Sequence, residues 1–373
     1  MATLDILDFK RIWPQLSNLA QNPQLRDGVQ KGWGQALRVW AHGRSVVFTL
    51  EGGFLPIVEF LASGQRPQLP TDRPELFRAA RRALTELIEE DLANIRSEIY
   101  PWQVLLPESP RSHLRRMPKL FWTGYKSRLQ KHQQESKTFS PEARALAEET
   151  PDYYRRNFHF QIDGYLSRDS AELYDHQVEV LFAGAADAMR RLLLPPLVRA
   201  QPQRVLELGA GTGRSTRFLK MALPQARLTA LDLSSPYLRV AAERLRDLPW
   251  QRFDGIDYVQ ADAASTPFRD ASFDAVASVF LFHELPLEER RRVLAEAFRV
   301  LRSGGVLAIV DSLQSGDRPE LQEALDEFPV QYHEPFYKNY LAHPLADLAR
   351  EAGFEVQESG TGFFAKLCVA RKP

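Results

Sequence analysis

Cysteine is nearly missing from this chain. One thiol, Cys368, stands among 373 residues, so no intrachain disulfide can form and thiol-rich metal chemistry is excluded. No His-x-x-x-His pair offers a metal site either. Charge of one sign is also lacking: 48 basic residues balance 48 acidic ones. Net charge therefore gives no reason to expect a nucleic acid or a charged membrane as partner. No window reaches ~18 uninterrupted apolar residues, so no membrane-spanning helix is expected. Residues 1–30 mix Asp5, Asp8, Lys10, Arg11 and Pro14 into their apolar positions, which is no secretory signal. No internal repeat is visible. The expectation is a soluble protein of about two domains in a reducing, cytoplasmic compartment.

What is present begins with RVLELGAGTGRS, from Arg204. Val205, Leu206 and Leu208 read as a buried parallel strand. Three glycines follow, Gly209, Gly211 and Gly213. A helix is expected over Thr216 to Leu223, capped by Thr212 or Ser215. A second apolar run, Leu228 to Leu231, ends on Asp232. Strand, glycine turn, helix, strand and acid make a nucleotide-binding βαβ unit. A dinucleotide fingerprint puts its glycines at positions one, three and six, for close approach to a pyrophosphate. Here they fall at one, three and five, and position six is Arg214. Glu207 sets a carboxylate at the strand's exit, which repels phosphate and suits an ammonium or sulfonium. The E-x-G-x-G-x-G pattern resembles motif I of the class I S-adenosylmethionine-dependent methyltransferases.

The rest of this half alternates as a wound sheet should. A helix over Ser235 to Leu245 leads to a strand at Ile256–Gln260, then Asp262. Phe273–Phe280 is a buried strand, followed by a helix over Leu287–Leu301. Ser303-Gly304-Gly305 reads as a turn, Val306–Val310 as the fifth strand, closing on Asp311. Leu345–Ala352 is a helix ended by Gly353. Phe354–Val356 and Phe363–Ala370 read as a hairpin joined through Ser359–Gly362. Ligands of such sheets lie at the carboxyl ends of the strands, where Asp232 and Asp262 fall.

The upstream half reads mostly helical. Pro74–Tyr100 carries apolar residues at helical spacing. Residues 31–61 read as a helix, a short strand or turn at Val46–Leu50, and a second helix near Phe54–Leu61. Ser63–Arg73 reads as a linker. The basic, aromatic-interleaved stretch 111–131 reads as a solvated helix face; docking on an anionic membrane is the alternative. Tyr153–Phe182 is dense in aromatics, with a helix that Ser170 would cap. Pro195-Pro196 would stop that helical region.

LELGAGTG, LDLS, QADAASTPF, SFDAVASVFLFHELP and VLRSGGVLAIVD, in this order, resemble the ubiquinone/menaquinone methyltransferase-like branch of class I. The match is good over 204–311 and loose over 312–373. It implies an α/β fold: a seven-stranded Rossmann-like methyltransferase sheet with a C-terminal antiparallel hairpin, after a mostly helical N-terminal domain. The expected division is 1–150 (helical), 151–200 (aromatic, cofactor-covering) and 201–373 (S-adenosylmethionine-binding). Asp232 is placed for the ribose hydroxyls, Leu233 for the purine face, and Asp262 and Ala263 for the adenine edge. Glu207, Gly209, Ala210, Gly211, Gly213 and Phe280 complete the cofactor set. The implied reaction is in-line displacement on the sulfonium methyl by a small hydrophobic or aromatic acceptor: a quinol, phenol, isoprenoid or lipid-like molecule. His283 is the candidate base, since an imidazole titrates near neutrality. The resemblance puts Tyr165, Tyr174 and His176, with His333, Tyr337 and Tyr340, around the acceptor. An NAD-dependent oxidoreductase on the same sheet, and a non-catalytic S-adenosylmethionine-binding module, stand as alternatives.

Overall fold

The computed structural model describes residues 23–63, 73–106, 139–158, 161–246 and 253–373. The stretch 111–131, His159 and the linker between Ser63 and Arg73 lie outside them.

The first helix, α1 (Pro23–Ser63), is continuous, so the strand or turn expected at Val46–Leu50 does not form. A lone β-rich run has no neighbour to take its backbone hydrogen bonds, whereas a helix satisfies its own. Leu37, Ser45 and Phe48 are its buried stripe. Helix α2 (Pro74–Arg96) buries Ala83, Leu87, Asp91, Leu92 and Ile95, one face at helical spacing. Helix α3 (Pro141–Glu148) is capped by Ser140. Helix α4 (Arg168–Leu181) is capped by Ser167 rather than by Ser170. Ser170 sits in its first turn and bonds Gly164 and Tyr237 instead. Short helices α5 (Ala186–Arg191) and α6 (Leu194–Ala200) follow. Pro195 and Pro196 open α6 instead of ending a helix, because a first turn needs no N–H donors there.

The sheet has seven strands: β1 (Arg204–Leu208), β2 (Arg227–Asp232), β3 (Ile256–Gln260), β4 (Phe273–Val279), β5 (Leu301–Ser312), β6 (Glu355–Gly362) and β7 (Ala365–Arg371). Their order is β3-β2-β1-β4-β5-β7-β6. The first five are parallel; β7 runs antiparallel between β5 and β6. Chain direction reverses its walk between β1 and β4, which opens a crevice at their carboxyl ends.

Helix α7 (Arg214–Ala222) connects β1 to β2. Its cap is Gly213 at φ +78°, not Thr212 or Ser215. Thr212 gives its hydroxyl to Asp175, and Ser215 lies inside the helix. Helix α8 (Ser235–Arg246) joins β2 to β3, and α9 (Leu287–Val300) joins β4 to β5. Ser303-Gly304-Gly305 is a bulge within β5: register steps from Phe273↔Leu301 to Ala275↔Val306. The final hairpin turns at Phe363-Phe364, with Gly360 and Gly362 inside β6. Phe363 tolerates φ +55° there because its ring is buried against Phe182 and Phe364. Between β5 and β6 the chain adds α10 (Gln322–Tyr332), α11 (Tyr337–Ala342) and α12 (Leu345–Glu351).

One buried apolar cluster runs from Leu87 and Leu92 of α2 through Met189 of α5 to Leu206, Val276 and Leu307 of the sheet. The upstream helices share the sheet's core. A Cβ on Gly362 would stand 2.9 Å from Leu87 and 3.0 Å from Leu192, so α2 covers the sheet at β6.

Candidate active site

A cleft of about 960 Å³, partly open to solvent, lies over the carboxyl ends of β1, β2, β3 and β4. Its floor is Gly209, Ala210 and Gly211 after β1, Asp232 and Leu233 after β2, and Asp262 and Ala263 after β3. Phe280, Leu281 and Glu284 follow β4. The facing wall comes from upstream: Tyr153, Tyr154, Phe158, Tyr165 and Tyr174, with Asp175 and Arg190. Ten of the expected site residues therefore meet in one cleft: Gly209, Ala210, Gly211, Asp232, Leu233, Asp262, Ala263, Phe280, Tyr165 and Tyr174.

Asp232 is held by backbone donors. Gly211 N–H bonds Oδ2 at 2.7 Å, and Ser234 N–H bonds Oδ1 at 2.8 Å. Burial raises its pKa to about 6, against the pull of the Ser234, Gly211 and Leu233 N–H groups. Ser234 also donates its hydroxyl to the Tyr165 carbonyl at 2.6 Å, tying the upstream wall to the β2 loop. The Tyr165 hydroxyl donates to Glu284 at 2.5 Å, closing the same wall onto the β4 loop. Asp262 accepts the Ala264 N–H at 2.8 Å, which fixes its turn.

Two cofactor candidates lie elsewhere. Glu207 is 1% exposed and does not line the cleft; its carboxyl takes the Thr216 hydroxyl at 2.5 Å. Burial drives its pKa to about 8, the Thr216 bond offsetting part of the rise. Gly213 also stands outside. A Cβ there would come within 2.9 Å of the Ala241 Cβ, so this glycine admits helix α8 rather than a ligand.

A second cavity of about 420 Å³ adjoins the first and shares Tyr174 and Phe280 with it. Its walls include Phe182, Phe328, Tyr337 and Phe364, with His283 and Ser312 as polar members. His283 is buried, and its Nδ1 lies 2.7 Å from Asp311 Oδ1. Asp311 also accepts the Phe282 and Ser312 N–H groups at 2.7 Å each. Burial alone would lower the imidazole pKa; the Asp311 charge and hydrogen bond outweigh it, and the net shift is upward. The Tyr337 and Ser312 hydroxyls share a 2.5 Å bond.

The other acceptor candidates part company. Tyr340 is fully buried, bonded to the Ser312 carbonyl, and supports the His283 ring from 6.2 Å without lining either cavity. His176 points away, toward Glu51 of α1 at 3.2 Å, edge-on to Phe48. His333 ends α10 at φ +52° and lines neither cavity. A helix buries one face against its neighbours, so Tyr174 and His176, two residues apart, must face differently. The charged wall residues Asp175 and Arg190 were not among the sequence candidates. No local pattern marks them; two separate helices bring them together.

Among the described residues, no helix is long and apolar enough to cross a membrane. None of their His, Cys, Asp and Glu residues form a group of three fit for a metal ion.

Residues 206–309 match the methyltransferase domain family. The chain is 36% identical over 143 residues to the demethylmenaquinone methyltransferase of Thermotoga maritima, covering 38% of this chain and 58% of that protein. It is 32% identical over 163 residues to the fatty-acid O-methyltransferase of Mycolicibacterium smegmatis, covering 44% and 53%. The chain thus spans little more than half the length of these curated relatives. A solved S-adenosylmethionine-dependent methyltransferase from Methanosarcina mazei aligns at 22% identity and a TM-score of 0.36, over 45% of this chain and 92% of that one. Residues 206–309 thus match a methyltransferase domain, and the chain is similar to demethylmenaquinone methyltransferases over part of their length.

Proposed function

We propose that the protein transfers the methyl group of S-adenosylmethionine to a small hydrophobic or aromatic molecule. The observation that carries this reading is the cleft at the β1–β4 switch point, floored by the glycine turn and rimmed by strand-end acids. The residues fit the nucleoside. Backbone N–H groups hold the Asp232 carboxylate in place, and its two oxygens, with about four acceptor sites between them, keep capacity for the ribose hydroxyls. Leu233 and Ala263 offer an apolar surface for a purine, with Asp262 at its edge. A Cβ on Gly211 would meet nothing within 4 Å, so its backbone borders open space. At the cleft's charged wall, Arg190 suits a carboxylate, being bonded to Asp187 at 3.5 Å, the long end of a hydrogen bond. Asp175 supplies the opposite charge beside it.

The bound sulfonium supplies an electrophilic methyl whose departure leaves a neutral thioether. The chain's part is to position the acceptor and keep water out. The aromatic wall of Tyr153, Tyr154, Phe158 and Tyr165 does the second. The relatives' names, one a demethylmenaquinone and one a fatty-acid methyltransferase, favour an apolar acceptor. Calorimetric titration with S-adenosylhomocysteine and, separately, NAD tests the reading. Binding of the first and silence with the second is expected; the reverse overturns it.

A further inference from the structure

We propose that the second cavity is the acceptor site and that it takes a compact phenol, of one ring or two fused rings, whose hydroxyl passes its proton to Nε2 of His283. The inference rests on the reading of the first cleft as the methyl-donor site.

Three observations carry it. Its empty space, about 420 Å³ counting what is open to solvent, is under half that of the first cleft. Its walls are flat and aromatic, with Phe182, Phe280, Phe328 and Phe364 around one space. Such faces hold a ring by offset or edge-on contact better than they hold a flexible chain. The polar groups are gathered rather than scattered: His283, Ser312 and Tyr337. A ring with a hydroxyl has one apolar body and one polar point, and the cavity is divided the same way.

Asp311 settles which nitrogen of His283 works. The carboxylate at 2.7 Å from Nδ1 makes that nitrogen the proton-bearing one, so the lone pair is on Nε2. Nε2 stands 3.8 Å from Glu284 Oε1, a residue of the first cleft, so it lies toward the side where the two cavities meet. Tyr174 and Phe280 line both spaces, so the two cavities adjoin at those side chains. The charged and titratable groups around the imidazole are Asp311 of β5, Glu284 beside it, Arg290 of α9, and Tyr337 and Tyr340 of α11.

The step balances as follows. The phenol O–H bond breaks and its proton goes to Nε2. The phenolate oxygen forms the new bond to the methyl carbon. The old carbon–sulfur bond breaks, its electron pair staying on sulfur. The product is a neutral aryl methyl ether, and the proton leaves His283 for solvent on product release.

The test reads ionisation first, with no donor present. 4-Nitrophenol, whose phenolate absorbs in the visible, is titrated with the full chain across pH. The bound dye is expected to ionise at lower pH than the free dye, since its proton has a base to go to. His283→Gln should bind it with that shift gone, and should leave S-adenosylhomocysteine affinity within about twofold. 1-Naphthol should displace the dye and palmitate should not. With donor added, label should appear on oxygen, and His283→Gln should lower kcat by about 10²–10⁴ with the acidic limb of the rate profile lost. Leu181→Trp, which fills the cavity, keeps the idea testable if the Gln variant does not fold: it should abolish dye binding alone. Normal S-adenosylhomocysteine binding without dye binding, displacement by palmitate, or methyl label on ring carbon would overturn the acceptor assignment and leave the donor cleft standing. Failure of S-adenosylhomocysteine itself to bind would overturn the proposed function first.

Discussion

Asp232 concentrates the donor-site argument in one side chain. It is buried, held by Gly211 and Ser234, and its pKa is raised to about 6. Hydroxyl donors favour the ionised form. S-Adenosylhomocysteine affinity should therefore fall as pH drops through 6, by up to tenfold per unit. Asp232→Asn should flatten that dependence, and Asp232→Ala should weaken binding at least tenfold, one charge-assisted bond being worth ~1.5–3 kcal/mol. Calorimetry across pH checks both; an unchanged Ala variant would remove the residue from the site. Glu207 makes a stability prediction instead. It ionises near 8 in the folded protein, against an ordinary 4.5. Between those values the unfolded chain has lost a proton that the folded chain keeps. The contribution is whole below 4.5 and is lost as pH rises through 8. Glu207→Gln, which cannot ionise, should gain in Tm over the parent from pH 5 to 8 and then level off. A difference that does not vary with pH would contradict the burial argument.

At the level of elements, α4 decides how the upstream half meets the sheet domain. Its Asp175 accepts the Thr212 hydroxyl from the glycine turn and pairs with Arg244 of α8. Burial would raise the Asp175 pKa, but Arg244, Arg214 and Arg190 together hold it below the ordinary range. Removing one partner strands the carboxylate. Arg244→Leu should destabilise the fold by about 3 kcal/mol, the low end for a broken buried pair because two arginines remain. Asp175→Asn in that background should recover part of the loss, as chemical denaturation will show. The two-residue offset between Tyr174 and His176 belongs to this scale as well. The aromatic density of 153–182 was readable, yet which ring faced the cleft depended on how α4 is turned against α1. Likewise Thr212 and Ser215 both read as caps, but Asp175 takes the first hydroxyl and Gly213 caps the helix.

Over the whole molecule, one apolar cluster joins α2 and α5 to the sheet. Arg191 of α5 is fully buried and forms paired bonds to Asp91 of α2 at 2.7 and 2.6 Å. A shared core with a buried ion pair across it leaves neither half much to fold around alone. Calorimetry should show one unfolding transition, and S-adenosylhomocysteine at 100 times its Kd should stabilise it by about 2.7 kcal/mol. Two separated peaks, with ligand moving one of them, would show independent units.

The strand ends, the glycine turn and their order were determined by the sequence alone. A parallel strand, a turn that needs positive φ and a crossover helix are local demands, and each leaves its mark in neighbouring residues. The continuity of α1, the facing of α4 and the seating of Asp175 beside Arg190 were decided by tertiary structure. So was the second cavity around His283, which draws on α4, β5, α10 and the β6–β7 turn. Those are outcomes of competition among buried faces, in which no segment carries the answer by itself: a side chain's partner is whichever surface the packed core leaves opposite it.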